Sequence, residues 1–161
     1  MGELNHFDGA GNAVMVDVSA KEITQRTAAA QGKIIVCREI YERLQERSVA
    51  KGDVLGVARV AAIMAAKKTS DIIPLCHPLP LSEIAVDFAL LEEAEICAVQ
   101  VVCRVKNSGR TGVEMEALTG ATAALLTIYD MCKAIDKAMV LTDIHLLRKS
   151  GGRSGDFTWK K

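Results

Sequence analysis

Aromatic side chains make up only 4% of this 161-residue chain: three Phe, two Tyr and one Trp. A module that reads nucleic acid by stacking bases on sheet aromatics needs more rings than that, and no such run is present. A dominant charge is also missing, because Lys plus Arg equals Asp plus Glu at 20 each. Non-specific phosphate-backbone binding is therefore not expected, and an anionic ligand must be held by a local cluster of cations. The five cysteines, Cys37, Cys76, Cys97, Cys103 and Cys132, are odd in number and none sit at CxxC spacing. They read as reduced thiols and not as a disulfide framework. No apolar run reaches the about 18 residues a bilayer span requires. The opening MGELNHFDGAG has neither the basic start nor the apolar stretch of a secretion signal. A cytoplasmic protein with no membrane or nucleic-acid partner is expected.

Half of the residues are apolar, enough for one core, and no repeat or linker divides the chain. A single domain over residues 1–161 is expected, with a flexible Gly-containing N-terminal arm and a Gly-rich basic tail. Ala13 to Val18 reads as a strand or extended strip, Lys33 to Cys37 as a short buried strand, and Arg38 to Arg47 as a short helix. From Asp53 to Lys68, Val54, Val57, Ala61 and Met64 recur at helical spacing, with Asp53 placed to cap the N-terminus. The three prolines, Pro74, Pro78 and Pro80, fall in one stretch and forbid regular structure across it. Ile84 to Leu91 and Ile96 to Val105 read as strands joined in a hairpin. Val113 to Ile135 carries one long apolar stripe, Leu118, Ala121, Leu125, Ile128, Cys132 and Ile135, and Met139 to Leu147 reads as a last strand. Strand, helix, strand, strand, helix, strand is the split βαβ order. It predicts an α+β, ferredoxin-like antiparallel sheet with two long helices on one face.

Polar clusters interrupt this apolar skeleton. Lys51-Gly52-Asp53 stands at a helix entrance, where lysine and helix dipole suit a phosphate, or where Asp53 simply caps a helix beside a solvated lysine. Cys76-His77 lies between prolines. With no second ligand pair at metal-binding spacing, it suits hydrogen bonding or proton transfer, and no metal site is expected. Gly109-Arg110-Thr111-Gly112-Val113-Glu114-Met115-Glu116 offers a cation and two carboxylates at a helix start without P-loop spacing. Asp130 with Lys133 and Lys137 is either a surface ion pair or, in a pocket, a general base beside a general acid. Lys149 to Asp156 can converge backbone N–H groups and two cations, Lys149 and Arg153, on an anion. On one straight helix Glu116 and Asp130 lie about 21 Å apart, so one small reacting centre cannot touch both from one chain. The ligand is long, or a second subunit completes each pocket.

The clusters recur in a recognisable order: MVDVSAK at 15–21, KGDV at 51–54, IIPLCHPL at 72–79, TGVEMEALTGA at 111–121, TIYDMCKA at 127–134 and KSGGRSGDF at 149–157. Across nearly its whole length the chain resembles the cyclic pyranopterin monophosphate synthase family, molybdenum cofactor biosynthesis protein C. The resemblance implies conversion of 3′,8-cyclo-7,8-dihydro-GTP to cyclic pyranopterin monophosphate with release of diphosphate, by a homohexamer built as a trimer of dimers. It implies Asp130 and Lys133 as the catalytic pair. Leu75, Cys76, His77, Glu114, Met115 and Glu116 would bind substrate, and Lys51, Lys149 and Arg26 would add charge for the triphosphate. Arg110 and Arg153 stand where many relatives would carry lysine, which keeps the charge but changes the donor geometry. No cofactor is required by the pattern, and Mg2+ accompanying the triphosphate is compatible with it. From residues alone, a non-catalytic nucleotide-binding module and a metabolite-sensing domain are the competing classes.

Overall fold

The computed structural model describes residues 5–46, 52–94 and 96–160. In chain order the elements are β1 (Thr24–Val36), α1 (Arg38–Glu46), α2 (Val54–Lys67), α3 (Thr69–Ile72), β2 (Leu81–Glu93), β3 (Ile96–Gly109), α4 (Glu114–Cys132), β4 (Val140–Ser150) and β5 (Phe157–Thr158). The sheet runs β2-β3-β1-β4-β5 with every neighbouring pair antiparallel. β3 lies between β1 and β2, so the crossover through α2 spans it. α4 makes the matching crossover from β3 to β4. This is the ferredoxin-like α+β arrangement expected from the element order.

One face of the sheet carries Ala28, Ala30, Ile34 and Val36 from β1 and Val99, Val101, Cys103 and Val105 from β3, all buried. Against it pack Ala58 and Ala62 of α2 and Ala117, Ala121, Leu125 and Ile128 of α4. Small residues let the two helices approach closely. A Cβ on Gly120 would stand 2.7 Å from Cys103 Sγ and 3.3 Å from the Ala62 carbonyl oxygen. Asp53 caps α2 as its position suggests, its Oδ1 accepting from the Gly56 N–H at 2.7 Å.

Three elements differ from the sequence reading. β1 begins at Thr24, well before Lys33. Its first residues, TQRTAAAQG, have little intrinsic strand preference but pair with β3 throughout and, from Thr27 to Gln31, with β4 on the other side. Ala13 to Val18 forms no strand and makes only an isolated bridge, Phe7 to Ala13. The long helix stops at Cys132, short of Ile135. The hairpin is as expected: Glu93 pairs with Ile96, and Ala94 takes a positive φ of 45°. Phe157 and Thr158 add a two-residue strand to the edge of β4. Among the described residues no helix is long and apolar enough to cross a membrane.

Candidate active site

At one end of the sheet β1 begins, β3 ends and α4 starts. A cavity of about 910 Å³ opens at this junction. Its walls come from residues 5–24, the proline-stiffened loop after α3, the turn between β3 and α4, and the glycine loop after β4. The size suits a nucleotide.

Each wall brings a distinct chemistry. Arg26, on the buried face of β1 and only 8% exposed, lines the cavity. Its guanidinium donates to the carbonyls of Gly109 and Arg110, each at 3.4 Å, and lies against Gly152. A Cβ on Gly152 would overlap that guanidinium, and its φ of +84° also favours glycine. The KSGGRSGDF loop is thus shaped to pass over Arg26. Lys21, Arg110 and Arg153 add further cations around the same space.

His77 is fixed by its prolines and by a hydrogen bond between its Nε2 and the Val16 carbonyl oxygen at 2.9 Å. A carbonyl only accepts, so Nε2 is the donor in this bond and Nδ1 is the ring nitrogen it does not engage. The same bond ties the MVDVSAK segment to the cavity. Asp17 stands close enough for the His77 charge to contribute to its lowered carboxyl pKa, although hydrogen bonds from Ser19 do more.

Glu116 is 4% exposed in the first turn of α4. Burial, reinforced by the neighbouring Glu114 charge and opposed by its own backbone N–H, lifts its carboxyl from 4.5 to about 7. Cys76 faces it closely enough that Glu116 adds to the upward shift that burial imposes on the thiol. The cavity therefore offers cations, an imidazole and a carboxyl that exchanges its proton near neutrality. That set can bind a polyphosphate and move protons on a base.

The fold thus gathers Arg26, Leu75, Cys76, His77, Glu114, Met115 and Glu116 around one cavity, from segments far apart in sequence. Lys149 stands at its edge, with Nζ 3.5 Å from Glu114 Oε1 and bonded to Ser154 Oγ. Lys51 lies outside the described residues. Asp130 and Lys133 lie at the opposite end of α4, paired at 2.5 Å with side chains 70% and 53% exposed. They do not line this cavity, in keeping with the helix arithmetic. In the single chain the hydrogen bond from Lys133 to Asp130 raises the lysine pKa. The sequence reading did not single out Lys21, though it sits inside a quoted motif and carries the charge a phosphate needs. It also passed over His6 and Thr24, which have no signal in spacing.

Comparison with known proteins agrees with the geometry. Residues 15–152 match the model of the MoaC family. A protein of Clostridium botulinum (strain Alaska E43 / Type E3) named cyclic pyranopterin monophosphate synthase is 59% identical over 155 residues, covering 96% of each chain. A protein of the same name from Bacillus thuringiensis subsp. konkukian (strain 97-27) is 51% identical over 160 residues, 99% of each chain. One from Bacillus cereus (strain AH820) is also 51% identical over 160 residues. With a family match across most of its length and relatives this close, the chain belongs to the MoaC family.

Proposed function

We propose that the protein converts 3′,8-cyclo-7,8-dihydro-GTP to cyclic pyranopterin monophosphate and diphosphate, a step of molybdenum cofactor biosynthesis. The observation that carries this reading is the convergence of Arg26, His77 and Glu116 on one nucleotide-sized cavity, in a chain whose relatives bear that enzyme's name. Substrate and products are isomeric overall. An internal ribose hydroxyl attacks the α-phosphorus, the bond to the β-phosphate oxygen breaks, and diphosphate departs as the base-derived ring opens and recloses. Arg26, Lys21 and Lys149, with Lys51, supply the charge that stabilises the leaving diphosphate. Leu75, Cys76, Met115, Glu116 and Glu114 hold the base-derived end. His77 is well placed to accept a proton at Nδ1.

Asp130 and Lys133 are proposed as the principal acid–base pair, delivered by a second copy of the chain. Exposed apolar side chains occur on the same helix end and on β4: Leu126, Met131, Ile135, Val140 and Ile144 are 55%, 41%, 39%, 51% and 39% exposed. Large apolar side chains left this exposed favour burial against another subunit. Val57, Val60 and Met64 offer a second such surface on α2. A hexamer formed as a trimer of dimers, located in the cytoplasm, is the assembly this reading takes. The cavity's carboxylates are Glu22, Glu114 and Glu116, and Lys149 engages Glu114. Mg2+ is accordingly proposed to arrive on the triphosphate and not in a protein cage.

The test is incubation of purified protein with the cyclised triphosphate, following diphosphate release and the cyclic product together. Turnover is expected from the wild type, with a fall of about 10²–10⁴-fold in Asp130→Asn or Lys133→Ala at unchanged assembly size. Normal activity in either variant removes that residue from the catalytic pair, and absence of wild-type turnover removes the reaction.

A further inference from the structure

Four buried side-chain atoms have no hydrogen-bond partner among the described residues, and three of them lie at one place: Thr24 Oγ1, Asn107 Nδ2 and Asn107 Oδ1. Asn107 is 2% exposed on the core side of β3, directly opposite Arg26 of β1, while Thr24 stands opposite Gly109. A Cβ on Gly109 would sit 2.5 Å from Asn107 Nδ2. The carboxamide therefore leans over Gly109, toward the position that Thr24 faces across the ladder. The Arg26 guanidinium reaches the same spot, through its long 3.4 Å contacts to the Gly109 and Arg110 carbonyls. A carboxamide, a hydroxyl and a guanidinium converge on one glycine, yet the first two make no bond there and the third makes only weak ones.

Leaving a buried amide unpaired is unfavourable, and an apolar side chain of similar size would fill the space without that penalty. The guanidinium and Nδ2 are both donors and cannot satisfy each other, whereas a water molecule accepts from either and donates to Oδ1 or Thr24. Thr24 and Arg26 also line the cavity, which gives water an entrance. We propose that Asn107 and Thr24 are positioning residues that hold ordered water beneath Arg26 and keep its guanidinium aimed at the anionic end of the ligand. The proposal rests on the reading of Arg26 as a triphosphate contact. It adds residues that the motifs do not mark.

The test measures binding of inorganic tripolyphosphate by calorimetry, which needs no turnover. Asn107→Leu and Thr24→Val are each expected to weaken binding about tenfold, the value of one charge-assisted contact, while Thr24→Ser binds as wild type. In an Arg26→Ala background, Asn107→Leu should cause no further loss. In the enzyme assay the same variants should raise KM by a similar factor with kcat within about twofold. Wild-type affinity in both Asn107→Leu and Thr24→Val overturns the proposal. So does an equal loss with and without Arg26, or a wild type with no affinity for tripolyphosphate. Should Asn107→Leu fail to assemble, Thr24→Val at the cavity wall gives the same readout. If the wild type converts no cyclised substrate but the coupling to Arg26 persists, the reaction assignment fails and this proposal stands.

Discussion

Replacing Glu116 with glutamine removes a titrating group while keeping its shape, and the structure gives the sign and size of the effect. Glu116 is 4% exposed, and burial lifts its carboxyl from 4.5 to about 7. Between those values the folded protein retains a proton that the unfolded chain has released. Stability is therefore lost as pH rises from 4.5 toward 7, and the full deficit persists above that range. The separation corresponds to about 3 kcal/mol as an upper figure. Glu116→Gln should then be more stable than wild type by up to about 3 kcal/mol near pH 8 and nearly equal to it near pH 4. Urea unfolding at a fixed protein concentration, so that assembly contributes equally to both, reads the difference. A stability gap that is the same at both pH values, or a less stable variant at pH 8, refutes the argument that burial strains the charged form.

Other expectations follow from contacts already described. Gly152→Ala places a methyl group on the Arg26 guanidinium at a backbone φ of +84°. It should raise KM for the triphosphate substrate and destabilise by about 1–3 kcal/mol, both measurable on one preparation. Gly120→Ala puts a Cβ 2.7 Å from Cys103 Sγ and 3.3 Å from the Ala62 carbonyl oxygen. It should lower stability by about 1–3 kcal/mol without altering kcat, since Gly120 is buried between the two helices and does not line the cavity. Thermal unfolding with and without tripolyphosphate separates the two cases.

The helices were legible because their apolar spacing is local information. Glu114 to Cys132 buries Ala121, Leu125, Ile128 and Cys132 of its expected stripe. Val54 to Lys67 is helical but buries Ala58, Ala62 and Ala66 and leaves Val57 and Met64 of the expected stripe exposed, because only the small alanines let it lie close against α4 and the sheet. The first half of β1 was not legible, since Thr24 to Gly32 becomes a strand only by pairing with β3 along its length and, from Thr27 to Gln31, with β4 as well. That information is tertiary. The site divides the same way. Motif order pointed to Arg26, His77 and Glu116, but only the register of β1 against β3 and the His77–Val16 bond show how they meet. Asn107 and Thr24 carry no motif signal, and only burial without partners distinguishes them. The about 21 Å between Glu116 and Asp130 on one helix was readable from the numbers alone, and the fold keeps the two apart.

That separation makes the shared pocket the point on which the functional account turns. Two variants, His77→Ala and Asp130→Asn, should each be nearly inactive alone. Co-expressed at equal levels and purified as mixed assemblies, they should regain about a quarter of wild-type turnover, because a two-chain pocket then receives both intact groups one time in four. Mixed assemblies no more active than either variant would contradict a site built from more than one copy of the chain.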